Sequence, residues 1–138
     1  MKASVIYRVA SVLLVLFAAG HLIGFAAPPD PRWNVDGLIA AMRSSRFDVM
    51  GFNRTWWDFY LGAGIIVGIF YLFSAILAWR LGSLQPEALA QMRGLAWAFA
   101  LAFAAITVVS WIDLFLIPIL FSALITLVLI AGAWLASR

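Results

Sequence analysis

Four long apolar stretches dominate the pattern of the chain: Val5 to Ala27, Trp57 to Trp79, Ala88 to Ile112 and Leu114 to Ala136. Crossing roughly 30 Å of hydrocarbon takes about 20 apolar residues in a helix, and each stretch is long enough. Within hydrocarbon the backbone has to satisfy its own hydrogen bonds, so each is predicted as a helix despite its β-branched and aromatic content. The predicted spans are about 5–27, 57–79, 88–112 and 116–136, the last opening near Pro118, which is tolerated only in a first turn. Short links make consecutive helices antiparallel neighbours. The expected fold is all-α integral membrane, with four transmembrane helices in an up-down bundle forming a single transmembrane domain over residues 1–138.

The first link is the long one. Pro28-Pro29-Asp30-Pro31 ends the first span, because proline blocks helical continuation and restricts the residue before it. Val35, Leu38, Ile39, Met42, Val49 and Met50 then recur at helical spacing, with Asp36, Arg43 and Ser44 on another face. This predicts an amphipathic interfacial helix over about 35–50, lying on the outer surface against lipid or across the top of the bundle. Gly82 stops the second span, and Gln85-Pro86-Glu87 restarts the chain with proline at a first helical position. Gly64 and Gly68, and separately Ala96, Ala100 and Ala104, are small-residue rows that permit close helix approach, within the bundle or between copies.

Composition supports this reading: 66% of the 138 residues are hydrophobic, against roughly 45–50% in soluble domains, and the mean hydropathy is +1.06. The net charge of +3 does not point to nucleic acid, because the nine Lys and Arg residues are scattered at segment ends, where they act as topology signals and headgroup anchors. Lys2, Arg8, Arg80, Arg93 and Arg138 fall on one side; Arg32, Arg43, Arg46 and Arg54 fall on the other, all in the longer first link. The expected topology places both termini inside. Lys2 and Arg8 ahead of an apolar run also resemble a signal peptide, but the run to Ala27 is long enough to span, so a retained first helix is expected. With no cysteine, disulfides, thiolate catalysis and thiolate metal sites are excluded.

Ionisable residues in or beside spans are the natural candidates for chemistry, since each is costly in hydrocarbon unless paired or wetted. His21 lies about 24 Å along the first span at 1.5 Å per residue. Asp58 begins the second span, Asp113 ends the third, and Arg54 precedes Asp58, so all four are expected in one outer layer with Trp33, Trp56, Trp57, Tyr60 and Trp111. Convergent polar groups within apolar walls are the usual form of a small-ligand pocket. The expectation is a pocket for a lipid-like amphiphile, in which His21 and Asp58 handle protons and Arg54, Trp57, Tyr60, Trp111 and Asp113 bind. Each of these residues also has a plain structural use. Thr55-Trp56-Trp57-Asp58 is a capping-box pattern, Ser110 to Asp113 has the same spacing, Arg54 suits a headgroup, and a buried His commonly bonds a carbonyl. A single His makes bis-histidine haem unworkable and a zinc site weak, so no cofactor or metal is expected. No nucleophile-elbow context surrounds Ser110 or Ser122.

His21-Leu22 at the end of the first span, Ala41-Met42-Arg43-Ser44 in the link, and Trp57-Asp58-Phe59-Tyr60-Leu61-Gly62-Ala63-Gly64 together resemble a group of small bacterial four-span proteins similar to the DoxX-like membrane proteins. The resemblance covers the four spans in layout, with its motifs confined to residues 21 to 80, and implies an inner-membrane location and a four-helix fold. The layout is also similar to sterol isomerase and membrane terpene cyclase folds, on architecture alone. The alternative to an amphiphile-binding protein is a non-catalytic accessory or oligomerising subunit that meets a copy of itself or a membrane-protein partner through its Gly64–Gly68 face.

Overall fold

The computed structural model describes residues 3–137, so Lys2 and Arg138, two of the flanking cations, lie outside the described residues. The described chain runs α1 (Ala3–Ala26), a 3₁₀ turn (Pro31–Trp33), α2 (Asp36–Ser44), β1 (Arg46–Val49), β2 (Phe52–Thr55), α3 (Trp56–Gly82), α4 (Pro86–Gln91), α5 (Arg93–Asp113) and α6 (Leu116–Ala136). Helices α1, α3, α5 and α6 are each long and apolar enough to cross a membrane, which makes this a multi-pass membrane protein. Much of their surface is apolar and exposed; Ile65, Ile69, Phe73 and Ile76 on α3 are examples. Outward-facing side chains of this kind suit a hydrocarbon solvent and would be aggregation-prone in water.

The residues form two compact units. The first holds the described residues up to Phe17 and from Tyr71 onward. Its core is built from Tyr7, Ala10 and Leu14 on α1, Ala75 and Ala78 on α3, Ala96, Ala100 and Phe103 on α5, and Ile125, Leu129 and Ala133 on α6. Small side chains bring the backbones close, so a few interhelical hydrogen bonds become possible. Ser11 Oγ donates to the Ala75 carbonyl at 2.8 Å, and the Thr107 and Thr126 hydroxyls meet at 3.0 Å. Such bonds contribute about 0.6 kcal/mol each in membrane helices, so side-chain packing holds the helices together more than these bonds do. The predicted third span is interrupted at Met92, where α4 ends and α5 begins. Pro118 falls in the first turn of α6, where its missing N–H leaves no helical bond unmade.

The second unit is Ala18–Phe70. The helix predicted over 35–50 is in fact the nine-residue α2 followed by an antiparallel hairpin, with Arg46 opposite Thr55 and Val49 opposite Phe52. Arg46-Phe47-Asp48-Val49 alternates in polarity, which is strand rather than helix periodicity. The connection is Met50-Gly51, with φ of 55° and 83°. Two successive positive φ values mark the mirror-image turn that matches hairpin twist, and glycine supplies one of them without steric cost. Phe47 packs its ring 5.0 Å from Trp56 and 5.3 Å from Phe59, fixing the hairpin to the start of α3.

At the 3₁₀ turn, Asp30 accepts from the Arg32 backbone N–H at 2.9 Å and from its guanidinium at 3.0 Å. These donors hold the Asp30 carboxyl below its ordinary range. The contribution of this pair to the turn is therefore complete above the unfolded carboxyl pKa of about 3.9, and is lost as pH falls through the lower folded value. A carbon-detected NMR titration of Asp30 should give a depressed midpoint that returns upward in Arg32→Ala; an ordinary midpoint in the unmodified protein would contradict the pairing.

In the first unit, a Cβ on Gly132 would sit 2.9 Å from Tyr7 Cζ, and the Tyr7 ring is fully buried. Gly132→Val should destabilise by roughly 1–3 kcal/mol through overpacking. The Tyr7 hydroxyl has no hydrogen-bond partner among the described residues, so Tyr7→Phe should be neutral or stabilising by about 1 kcal/mol. Unfolding in detergent measures both, and a clear loss in Tyr7→Phe would show that the hydroxyl is bonded.

Candidate functional site

The second unit carries most of the residues expected to do chemistry, and its geometry is organised by two glycines. A Cβ on Gly64 would fall within 2.6 Å of three ring atoms of Phe25, and one on Gly68 would lie 2.5 Å from Leu22 Cδ2. Only glycine admits those side chains of α1. The close approach also exposes the Gly64 carbonyl to His21, whose Nε2 lies 2.8 Å from that oxygen. A carbonyl can only accept, so Nε2 donates here and carries a proton.

An aromatic row leads away from His21. Its ring lies 5.4 Å from Phe25; Phe25 stacks on Tyr60 at 4.6 Å, and Tyr60 lies 5.5 Å from Trp57. Trp57 is covered in turn by the Arg43 guanidinium from α2, 4.6 Å from the ring centroid. A guanidinium over a tryptophan face is held electrostatically by the ring quadrupole, at about 0.5–2 kcal/mol. Gly64 lies four residues beyond Tyr60 on the same face of α3, as Tyr60 lies near Trp57. His21, Tyr60, Trp57, Phe25 and Arg43 are therefore connected within one unit.

Asp58 has a different setting. Its Oδ2 accepts from the Thr55 backbone N–H at 2.8 Å, and its own N–H donates to Thr55 Oγ1 at 3.1 Å. This is a complete reciprocal capping box, satisfying two amides that a helix start leaves unpaired. Asp58 is two residues from Tyr60, about 200° around the helix, so it does not share the Tyr60–Gly64 face. Its charge is felt instead by Arg54 and Arg46 of the hairpin. Arg54 extends over Phe52, 5.6 Å from the ring, and donates to the Asn53 carbonyl. Trp111 and Asp113 belong to the first unit, at the exposed end of α5. Ser110 to Asp113 closes that helix rather than opening one, so its capping-box spacing has no capping use.

Phe25 is a residue of this row that the sequence pattern does not single out, and Arg43 stands out there only within the link motif Ala41 to Ser44. The Gly64-xxx-Gly68 row points to close approach without naming what enters it, and helical spacing assigns Arg43 only to a polar face. Among the described residues no group of three or more His, Cys, Asp or Glu is placed to hold a metal ion. Compared with known proteins, the chain matches no family model, no curated relative and no solved structure.

The capping box predicts that Asp58→Ala destabilises by about 1 kcal/mol, within the usual range for losing a helix cap, and that Thr55→Val does the same without an additive loss in the double variant. Additive losses, measured by unfolding in detergent, would show that the two side chains do not act as one cap.

Proposed function

We propose that this chain is a multi-pass protein of the bacterial inner membrane that binds a lipid-like amphiphile through its Ala18–Phe70 unit. In this reading the four long helices form an up-down bundle with both termini inside, and α2 lies at the outer interface with its Leu38–Met42 side toward lipid. The observation that carries the proposal is the row from His21, with its proton on Nε2, through Phe25, Tyr60 and Trp57 to Arg43. It offers a cation at one end, flat apolar walls along its length and a hydrogen-bonding group at the other, which suits a molecule with a polar head and an apolar body. The motifs of the DoxX-like resemblance include four residues of this row, His21, Arg43, Trp57 and Tyr60. If the bound molecule is turned over, His21 is the proton-exchanging group in the row. Asp58 would take part only through the carboxylate oxygen its cap leaves open.

The accessory-subunit reading relied on a free Gly64–Gly68 face. Phe25 and Leu22 of the same chain fill that face, so amphiphile binding is preferred. Native mass spectrometry of protein extracted in mild detergent tests it. A retained amphiphile is expected on the unmodified chain and is lost in His21→Ala and Tyr60→Ala. A chain that carries no amphiphile, or carries it unchanged in both variants, contradicts the proposal.

A further inference from the structure

The first unit contains a cavity of about 610 Å³ where α1 begins and where α3 and α6 end. Its wall combines Arg8, Ser4, Ser83 and Gln85 with the apolar Leu89 and Leu135. A second cavity of about 320 Å³ shares Ser83 and Leu84 with the first and includes Arg80. Two arginines thus border adjoining spaces at one end of three apolar helices.

Arg8 is held in place there by its hydrocarbon stem and its ring contact. A Cβ on Gly82 would strike the Ser4 carbonyl at 2.9 Å and crowd Arg8 Cγ at 3.2 Å, so the glycine makes room for the α1 backbone and the stem beside it, and the guanidinium lies 5.4 Å from the Trp79 centroid. No carboxylate pairs with it among the described residues; their one salt bridge joins Arg32 to Asp30. The described acids of this unit are Glu87 and Asp113. Glu87 lines neither cavity, and Asp113 closes α5 about 30 Å from Arg93 at 1.5 Å per residue. Among the described residues the charge facing the cavity is therefore positive and uncompensated, with leucine walls beside it.

We propose that this cavity is a binding site for one anionic phospholipid, its phosphodiester on Arg8 with a hydroxyl contact from Ser4, and the start of its acyl region against Leu89 and Leu135. The guanidinium matches phosphate oxygens in a planar fork. Free phosphate shares that chemistry but would leave the leucine wall unfilled, so the lipid is the favoured source. Arg80 beside the adjoining space strengthens the preference for a net-negative headgroup. This site is independent of the His21 row and stands or falls separately from it.

The test uses the full chain in a zwitterionic detergent, titrated separately with phosphatidylglycerol, phosphatidylcholine and inorganic phosphate. Native mass spectrometry reads lipid stoichiometry, and thermal unfolding reads all three. One phosphatidylglycerol should bind about fivefold to tenfold more tightly than phosphatidylcholine, as expected for one or two basic groups near the headgroup, and millimolar phosphate should not shift unfolding. Arg8→Gln should remove the preference, whereas Arg93→Gln, which lines neither cavity, should keep it. Ala90→Trp fills the cavity from an exposed position of α4 without touching a charge, and should also abolish the one-to-one complex. Equal binding of the two lipids, equal loss with Arg93→Gln, unchanged binding in folded Ala90→Trp, or stabilisation by phosphate alone would each overturn the proposal.

Discussion

A peptide group in hydrocarbon has no water to bond, and most of this structure depends on that constraint. It confines the chain within the membrane to helices whose amides are satisfied internally. α1, α3, α5 and α6 meet it with apolar side chains on nearly every face. Backbone groups that a helix leaves unpaired occur at its ends, and several polar side chains of this protein bond there. Thr55 and Asp58 close the start of α3, and Ser83 returns to the Trp79 carbonyl at its end. Ser137 returns to Ala133 at the end of α6.

Within the spans, the same constraint makes close approach of backbones the main source of specificity. Gly64, Gly68 and Gly132 each face a side chain that a Cβ would strike, and at Gly82 a Cβ would strike the Ser4 carbonyl. At Gly64 this has a chemical consequence as well as a packing one. The absent side chain lets Phe25 lie on the backbone and lets His21 reach a carbonyl already engaged in its own helix. An ionisable ring inside a span is then hydrogen-bonded, aromatic-lined and oriented, which is the condition under which such a residue is tolerable in a membrane. The amphiphile-binding proposal grows from that arrangement, and the phospholipid proposal grows from an arginine placed by the same means against Gly82.

The spans were legible because hydropathy is a sum over many residues and survives local detail. The expected 116–136 coincides with α6, and the first two spans differ from α1 and α3 by at most three residues at any boundary. The capping box at Thr55 to Asp58 was legible too, since both partners lie within one turn. The hairpin was not. Val49 and Met50 continue the apolar spacing of α2, and only pairing of Arg46–Val49 with Phe52–Thr55 turns them into a strand and a turn. The expected outer layer rests on helix length alone, which gives a depth and not a face. Helix periodicity places Asp58 away from the Tyr60–Gly64 face, and no one-dimensional pattern could have shown which side chain of α1 would fill the gap at Gly64.

The central claim is that the chain crosses the membrane four times, and the absence of native cysteine makes it directly measurable. Single cysteines at Ser45→Cys, Ser83→Cys, Leu114→Cys and Ser137→Cys report the side reached after one, two, three and four crossings. With a membrane-impermeant maleimide on sealed vesicles of one orientation, the account predicts that Ser45→Cys and Leu114→Cys label together, and that Ser83→Cys and Ser137→Cys label only from the opposite face. Labelling of any adjacent pair in this series from the same face would remove a crossing and contradict it.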